Sequence, residues 1–363
     1  MSIKKIENVE QIRSALTKWY KKNSRKLPWR ESKNPYVIWV SEIMLQQTQV
    51  NTVIPYFQRF CEKFPDIQAL AASDLQDVLK LWEGLGYYAR ARNFYKAAQT
   101  VVDEHRGIVP DDRASFMALP GVGDYIAAAV LSIAFNKPLA VVDGNVKRVL
   151  SRLFEIDVPV NVSSSYKVFK ATANELLDVD DPGTFNQAVM ELGALICKPS
   201  KPDCSICPVS KCCLAVKNQN VDGFPVKKKK APVPHYFMAV GVVFKGNKVL
   251  IVRRPEDKML GGLWEFPGGR VLSKESAEFA CTRIIAEKVN LNVVVESKLI
   301  RIRHAYTHFK ITADIFICAI VSGRVKRNGP TDHQWVSLNK LERYPFPKSN
   351  HKFISKLMKE RLQ

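Results

Sequence analysis

The stretch that most constrains this chain runs from Leu119 to Arg148, LPGVGDYIAAAVLSIAFNKPLAVVDGNVKR. Gly121-Val122-Gly123 makes a tight turn, because glycine takes positive φ without steric cost. Ile126 to Phe135 has no polar face, so as a helix it must be buried. A short apolar segment then delivers Asp143-Gly144-Asn145 to the start of another helix. A Gly-x-Gly turn that opens a helix points backbone N–H groups outward and forms a seat for phosphate. Taken singly, Pro120-Gly121 is helix punctuation and Asp143 an N-cap. Taken together in a basic chain, they describe a phosphate-gripping hairpin with a carboxylate trailing it.

The basic character is strong: 55 Lys and Arg against 35 Asp and Glu give a net charge of +20. Such a surface selects a polyanionic partner. A membrane surface is the rival for that charge, and no apolar run approaches the roughly 18 residues of a spanning helix. The first residues, MSIKKIENVEQIRSAL, are amphipathic and lack the apolar core of a signal peptide, so a cytoplasmic protein is expected. At 363 residues, 46% apolar and 25% charged, two soluble globular domains are expected. No repeat or amphipathic seam argues for an oligomer, so a monomer is expected.

Ile6, Val9, Ile12, Leu16, Trp19 and Tyr20 recur at helical spacing and open the chain with an amphipathic helix. In Arg25-Lys26-Leu27-Pro28-Trp29-Arg30, a tryptophan that looks exposed between basic residues suits either packing or stacking on a base. A helix is predicted from Val37 through SEIMLQQTQV, Ser41 to Val50. Glu42 sits there among apolar neighbours. Burial would raise its pKa and make it an acid near neutrality, whereas on a solvated face it would be inert. Gln46, Gln47 and Thr48 form an uncharged polar tip able to enter a base stack. LWEGLGYYARARN, Leu81 to Asn93, joins aromatics to cations in the manner of a wedge with phosphate anchors. Further helices follow at Val146 to Phe154, Tyr166 to Leu177 and Thr184 to Ile196, and nothing in the first ~215 residues alternates like a strand. The N-terminal domain, residues 1–225, is predicted to be all-α.

Five of the eight cysteines cluster at Cys197, Cys204, Cys207, Cys212 and Cys213, which in a chain without an export signal suggests metal ligands rather than disulfides. Four thiolates on one loop can hold a tetrahedral zinc or a [4Fe–4S] cluster. One close pair flanked by two single cysteines leans slightly to iron–sulfur, and either Cys212 or Cys213 can be the fourth ligand. Residues 226–234, VKKKKAPVP, read as a linker. Beyond it, residues 235–363 are predicted to be α+β. Strands are expected at Phe237 to Phe244 and Lys248 to Arg253 about a Gly246-Asn247 turn, at Val293 to Arg303, Lys310 to Ile320 and Gln334 to Ser337. A helix is expected over Glu275 to Lys288.

These motifs, in this order, closely resemble the MutY family of adenine DNA glycosylases in the helix-hairpin-helix iron–sulfur superfamily. The resemblance rests on SEIMLQQTQV, LWEGLGYYARARN, LPGVG with Asp143 downstream, the cysteine spacing and the second domain. It implies excision of adenine mispaired with 8-oxoguanine or guanine in double-stranded DNA, after base flipping, by a nucleoid-associated enzyme. It implies that Glu42 protonates the purine, and that Asp143 stabilises the oxocarbenium character of the sugar, as in glycoside hydrolysis. Tyr125 and Asn145 are then supporting residues. Arg25, Trp29, Arg30 and Gln187 would line the adenine pocket, Gln47 and Tyr87 would intrude into the duplex, and Gly121 and Gly123 would grip its backbone. The cysteine loop becomes a [4Fe–4S] site of Cys197, Cys204, Cys207 and Cys213. Relatives that also cut the strand carry a Schiff-base lysine where this chain has Tyr125, so a monofunctional enzyme is expected.

The second domain resembles the Nudix fold. Of that family's box the chain keeps Gly269, Glu275, Arg283 and Glu287, but has Ile284, Lys288 and Asn290 in place of Glu, Glu and Gly. With two carboxylates missing, Mg²⁺-dependent hydrolysis is not expected. The resemblance assigns 8-oxoguanine reading to Tyr306, Thr307 and His308, where the family's usual centre is Phe-Ser-His.

Overall fold

The computed structural model describes residues 7–229 and 231–361. Ile6, expected in the first helix, and Lys230 of the linker lie outside them. The chain divides into two compact units, Met1–Ala71 with Lys96–Lys230 and Ala72–Tyr95 with Ala231–Gln363. The division at 230/231 falls within the stretch read as a linker. The placing of 72–95 departs from expectation, because this segment was assigned to the helical domain and packs with the C-terminal one. The physical reason is a set of polar ties. Trp264 Nε1 donates to Gln76 Oε1 at 2.9 Å, and Phe346 N donates to Glu83 Oε1 at 2.7 Å. An Arg92 guanidinium nitrogen donates to Gly261 O at 2.7 Å.

The helices in chain order are α1 (Val9–Asn23), α2 (Pro35–Leu45), α3 (Val50–Lys63), α4 (Ile67–Ala71), α5 (Leu75–Leu81), α6 (Ala89–His105), α7 (Arg113–Ala118), α8 (Asp124–Phe135), α9 (Gly144–Phe154), α10 (Tyr166–Leu176), α11 (Pro182–Leu195) and α12 (Leu214–Lys217). Helix α5 belongs to the second unit, and the division cuts α6 between Tyr95 and Lys96. Among the described residues the first unit has no strand. Its core joins Leu16 of α1, Leu150 of α9, Phe169 of α10 and Leu192 of α11. Helix α8 is buried from Ile126 to Ser132, as its lack of a polar face requires.

The predicted helix through Val50 breaks after Leu45. Gln47 takes φ +58°, and a new helix starts at Val50. One buried amide fixes the segment that leads to Asp143. Asn186 of α11 donates to Ser132 Oγ at 2.9 Å and Leu139 O at 2.8 Å, and accepts from Val141 N at 3.0 Å. A buried amide satisfied on three sides holds its neighbours in one register.

The second unit is α+β, with β1 (His235–Lys245), β2 (Lys248–Arg253), β3 (Trp264–Glu265), β4 (Gly268–Arg270), α13 (Ala277–Val289), β5 (Leu291–Ala305), β6 (Lys310–Gly323), β7 (Asp332–Ser337) and α14 (Lys348–Arg361). The predicted hairpin is present, with Phe244 paired to Val249 and Lys245 to Lys248. The sheet order is β3-β2-β1-β6-β5, with β1 and β6 parallel. Two apolar clusters involve the sheet. Ile285 and Val289 of α13 pack into one, Phe353 and Leu357 of α14 into the other. Among the described residues no helix is long and apolar enough to cross a membrane.

Candidate active site

In the first unit a cavity of about 150 Å³ opens between α2, the 25–30 segment, Tyr125 of α8, the start of α9, and α11. It gathers eight of the residues singled out from sequence: Arg25, Trp29, Arg30, Glu42, Tyr125, Asp143, Asn145 and Gln187. Glu42 rides on α2 with 5% of its surface exposed, and its Oε2 accepts from Tyr125 OH at 2.5 Å. Burial pushes the Glu42 carboxyl up to about 7, assisted by the charge of Asp143 and opposed by the Tyr125 bond and Arg30. The Tyr125 phenol is held well above its ordinary pKa by burial and by the two carboxylates, so it remains a donor.

Asp143 is both an N-cap and a site residue. Its Oδ1 accepts from Val146 N at 2.7 Å, capping α9, and its Oδ2 accepts from Asn145 Nδ2 at 2.9 Å. Burial raises its pKa, while the bonds from Val146 and Asn145 and the charge of Arg148 favour the anion. The two carboxyls are therefore differentiated. Glu42 accepts a side-chain bond from one neutral phenol, whereas Asp143 receives the open N–H groups of a helix start, which favour negative charge. Paired titratable groups in unlike environments divide into an acid and an anion.

The wall of the cavity includes a residue that the sequence reading missed. Glu191 of α11, 1% exposed, forms paired bonds to Arg25 (Nε 2.9 Å, Nη2 2.6 Å) and to Arg30 (Nη1 3.0 Å, Nη2 2.9 Å). Although burial acts to raise it, the two guanidiniums hold its carboxyl at about 2. The available signal was Glu191 as the one charge in TFNQAVMELGALI. Trp29 is 6% exposed and packs edge-on against Phe57 at 5.3 Å, so the exposed tryptophan read from sequence is a packed wall residue. Gln187 is fixed by Tyr20 OH, which donates to its Oε1 at 3.1 Å.

Not every predicted residue joins this cavity. Gln47 is exposed in the left-handed turn after α2 and does not line it. Gly121 takes φ +77° and Gly123 is extended at φ −99°, so only the first needs glycine's freedom. Both are exposed, and the first turn of α8 has no side-chain cap, which leaves its N–H groups open to an anion. In the second unit Tyr87, at φ +50°, is hydrogen-bonded through its OH to Thr307 Oγ1 at 2.7 Å. Thr307 and His308 are exposed. Tyr306 is half-buried, with its OH bonded to Ser349 Oγ at 2.9 Å.

Cys197, Cys204, Cys207 and Cys213 line one small cavity with Arg152, and Cys212 does not. Arg152 of α9 donates to Lys198 O at 2.7 Å and to Cys197 Sγ at 3.4 Å. Arg148, one turn earlier, donates to Cys197 O at 2.7 Å and to Asn145 Oδ1 at 2.8 Å. A single helix thus carries the site aspartate at its start and fastens the cysteine loop along its length. Among the described residues no three His, Cys, Asp or Glu side chains converge as ligands of one metal ion do. The four thiols share one space, and a set of four cysteine thiolates is the donor set that a tetrahedral zinc or an iron–sulfur cluster takes.

In the degenerate box of the second unit, Arg283 binds Glu275 (Nη2–Oε1 2.6 Å) and Glu287 (Nη1–Oε2 3.0 Å). Lys288 donates to Gly268 O at 2.6 Å and lies 3.5 Å from Glu265. Ile284 is core beneath Gly269, and Asn290 supplies the left-handed cap of α13 at φ +56°. An ammonium and an aliphatic chain stand where a Mg²⁺ site needs carboxylates.

Residues 40–177 match the HhH-GPD superfamily of base excision DNA repair proteins, and residues 239–356 match the NUDIX domain. An adenine DNA glycosylase of Buchnera aphidicola is 37% identical over 80% of this chain and 81% of its own length. A human adenine DNA glycosylase is 32% identical over 92% of this chain and 71% of its own. Among solved structures, a thermostable thymine-DNA glycosylase superposes with a TM-score of 0.53 at 30% identity, over 58% of this chain and 98% of that one. With a helical repair domain followed by a Nudix-like one, and relatives of this kind along most of its length, the chain belongs to the adenine DNA glycosylases, DNA N-glycosylases of base excision repair.

Proposed function

We propose that this enzyme removes adenine paired with 8-oxoguanine or guanine in duplex DNA, and that it is monofunctional. The observation that carries the reading is the Glu42–Tyr125 pair at the cavity wall. A carboxyl near pKa 7 holds a transferable proton at neutral pH, and the phenol beside it cannot form an imine. Flipped adenine would accept the Glu42 proton at a ring nitrogen, which converts the base into a neutral leaving group. Asp143, in its anionic form, would stabilise the positive charge developing on the sugar, and Asn145 would hold that carboxylate in place. Arg25 and Arg30, fixed by Glu191, would shape the wall against which the base rests.

Thr307 and His308, exposed beside Tyr87, support a reading loop for the opposite base in which Thr307 and His308 make the contacts. Cys197, Cys204, Cys207 and Cys213 would hold a [4Fe–4S] cluster, which when bound would brace residues 197–213 against α9.

The test is single-turnover base release from duplexes bearing adenine opposite 8-oxoguanine, guanine or thymine, with and without alkaline heating. Release from the first two alone, with strand breaks only after alkali, is expected. Strand cleavage at the rate of base release, trapped by borohydride as a covalent complex, would overturn the monofunctional reading. Asp143→Asn should abolish release while duplex affinity is retained, and full activity in that variant would remove Asp143 from the mechanism.

A further inference from the structure

A groove of about 420 Å³ lies at one end of the sheet in the second unit, between the Gly246-Asn247 turn, the end of β7, the 338–343 turn and the end of α14. Half-buried Phe244 and buried Leu338 give it an apolar floor. Exposed Asn247 and Asn339 add neutral polar groups, and Lys340 and Arg361 are the charges of its lining, which includes no carboxylate. The Arg361 guanidinium rests over the Phe244 ring at 5.1 Å, which keeps a cation on the groove. Lys245 and Lys248, in the adjoining β1–β2 hairpin, are two more exposed cations. Among the described residues none of these four makes an ion pair, and Glu360, beside Arg361 in sequence, is paired with Lys356 at 3.4 Å.

We propose that this groove docks an acidic peptide segment of a partner protein, with carboxylates on Lys340 and Arg361 and an apolar side chain against Phe244. Uncompensated cations held together repel one another, and carboxylates brought between them remove that repulsion and fix the register of the partner. The amides of Asn247 and Asn339 offer donors and acceptors to a peptide main chain. The position of the groove argues against duplex DNA as its occupant, a step that rests on the reading of Thr307 and His308 as DNA contacts. Strands β1 and β6 run parallel, with His235 opposite Lys310 and Phe244 opposite Ala319. The groove is therefore at the far end of β1 from the 306–309 turn, nine residues along it (244 − 235), or about 30 Å at the usual strand rise. DNA touched at that turn leaves the groove unfilled. The Arg361 guanidinium also covers one face of the Phe244 ring, the kind of surface on which a base of a single strand stacks.

Fluorescence polarisation of the full-length protein with a labelled peptide of aspartates around one leucine tests the groove. Saturable binding, weakened roughly tenfold when Lys340→Glu is combined with Arg361→Glu, is the expected result. Lys21→Glu combined with Lys22→Glu makes the same change of net charge at exposed positions of α1 and should leave binding as it is in wild type. Thermal unfolding and adenine release of the Lys340/Arg361 variant should match wild type, because both side chains are exposed. Peptide binding should also persist in the presence of a saturating duplex. No saturable binding would overturn the proposal. So would equal loss in the two double variants, which would reduce the attraction to net charge alone. A duplex that displaces the peptide and binds the Lys340/Arg361 variant more weakly than wild type would assign the groove to nucleic acid instead. Because the first titration contains no DNA, a failure of the reading-loop assignment would leave its result standing.

Discussion

Replacing Tyr125 by Phe removes one phenol oxygen and, with it, the bond donated to Glu42 Oε2. A hydrogen bond to an ionised group is worth about 1.5–3 kcal/mol, and one pKa unit corresponds to about 1.36 kcal/mol. The loss falls on the anionic form of Glu42, so its pKa should climb from about 7 to about 8–9. On the proposed role, protonated Glu42 is the working form, and the alkaline limb of the rate profile should move to higher pH by about 1–2 units. The plateau should fall, because a weaker acid gives up its proton less readily. The acid limb, which the proposed mechanism ascribes to protonation of Asp143, should stay in place. Stability provides a second readout of the same carboxyl. Its folded pKa is raised, so its contribution in wild type is full below its ordinary value and is lost as pH rises through about 7. The assay is single-turnover adenine release from an 8-oxoguanine:A duplex across pH values on both sides of neutrality, with wild type alongside. An alkaline limb that stays put, or moves towards acid, would refute the assignment of Glu42 as the proton donor.

Three further outcomes follow from the same geometry. Glu191→Ala leaves Arg25 and Arg30 without their shared carboxylate and should cost about 3–5 kcal/mol in denaturant unfolding. In wild type, where Glu191 is held at about 2, that pairing should be lost as pH falls from the ordinary carboxylate range towards 2, visible as a falling unfolding midpoint. Gly193→Ala would set a methyl 2.7 Å from Asn145 Cβ; an expected loss of about 1–3 kcal/mol and a slower release rate are checked by thermal melts and single-turnover kinetics. Thr307→Ala combined with His308→Ala should narrow the rate ratio of 8-oxoguanine:A over G:A, and an unchanged ratio would move recognition elsewhere.

Local chemistry made much of this molecule readable in advance. Helix α8 had to be buried because it lacks a polar face, and Gly246-Asn247 had to turn between two alternating runs. Spacing marked Asp143 as an N-cap, and the family resemblance paired it with Glu42, 101 residues earlier (143 − 42). What spacing could not supply was the environment that gives those residues their chemistry. Nothing local to Glu42 distinguishes a solvated carboxyl from one at pKa 7. The difference arises when α8 brings Tyr125 against α2 and excludes water. Glu191 was passed over for the same reason, since its partners Arg25 and Arg30 lie more than 160 residues away. Segment 72–95 looked helical and was grouped with its neighbours in sequence. Its bonds to Trp264, Phe346 and Gly261 are long-range, and they assign it to the other unit. Periodicity and turn chemistry are short-range properties, so the sequence by itself determined most of the elements, while the family resemblance named eight of the residues that line the first-unit cavity. Burial, ion pairing and domain membership depend on which distant surfaces meet, and only the tertiary structure decided them.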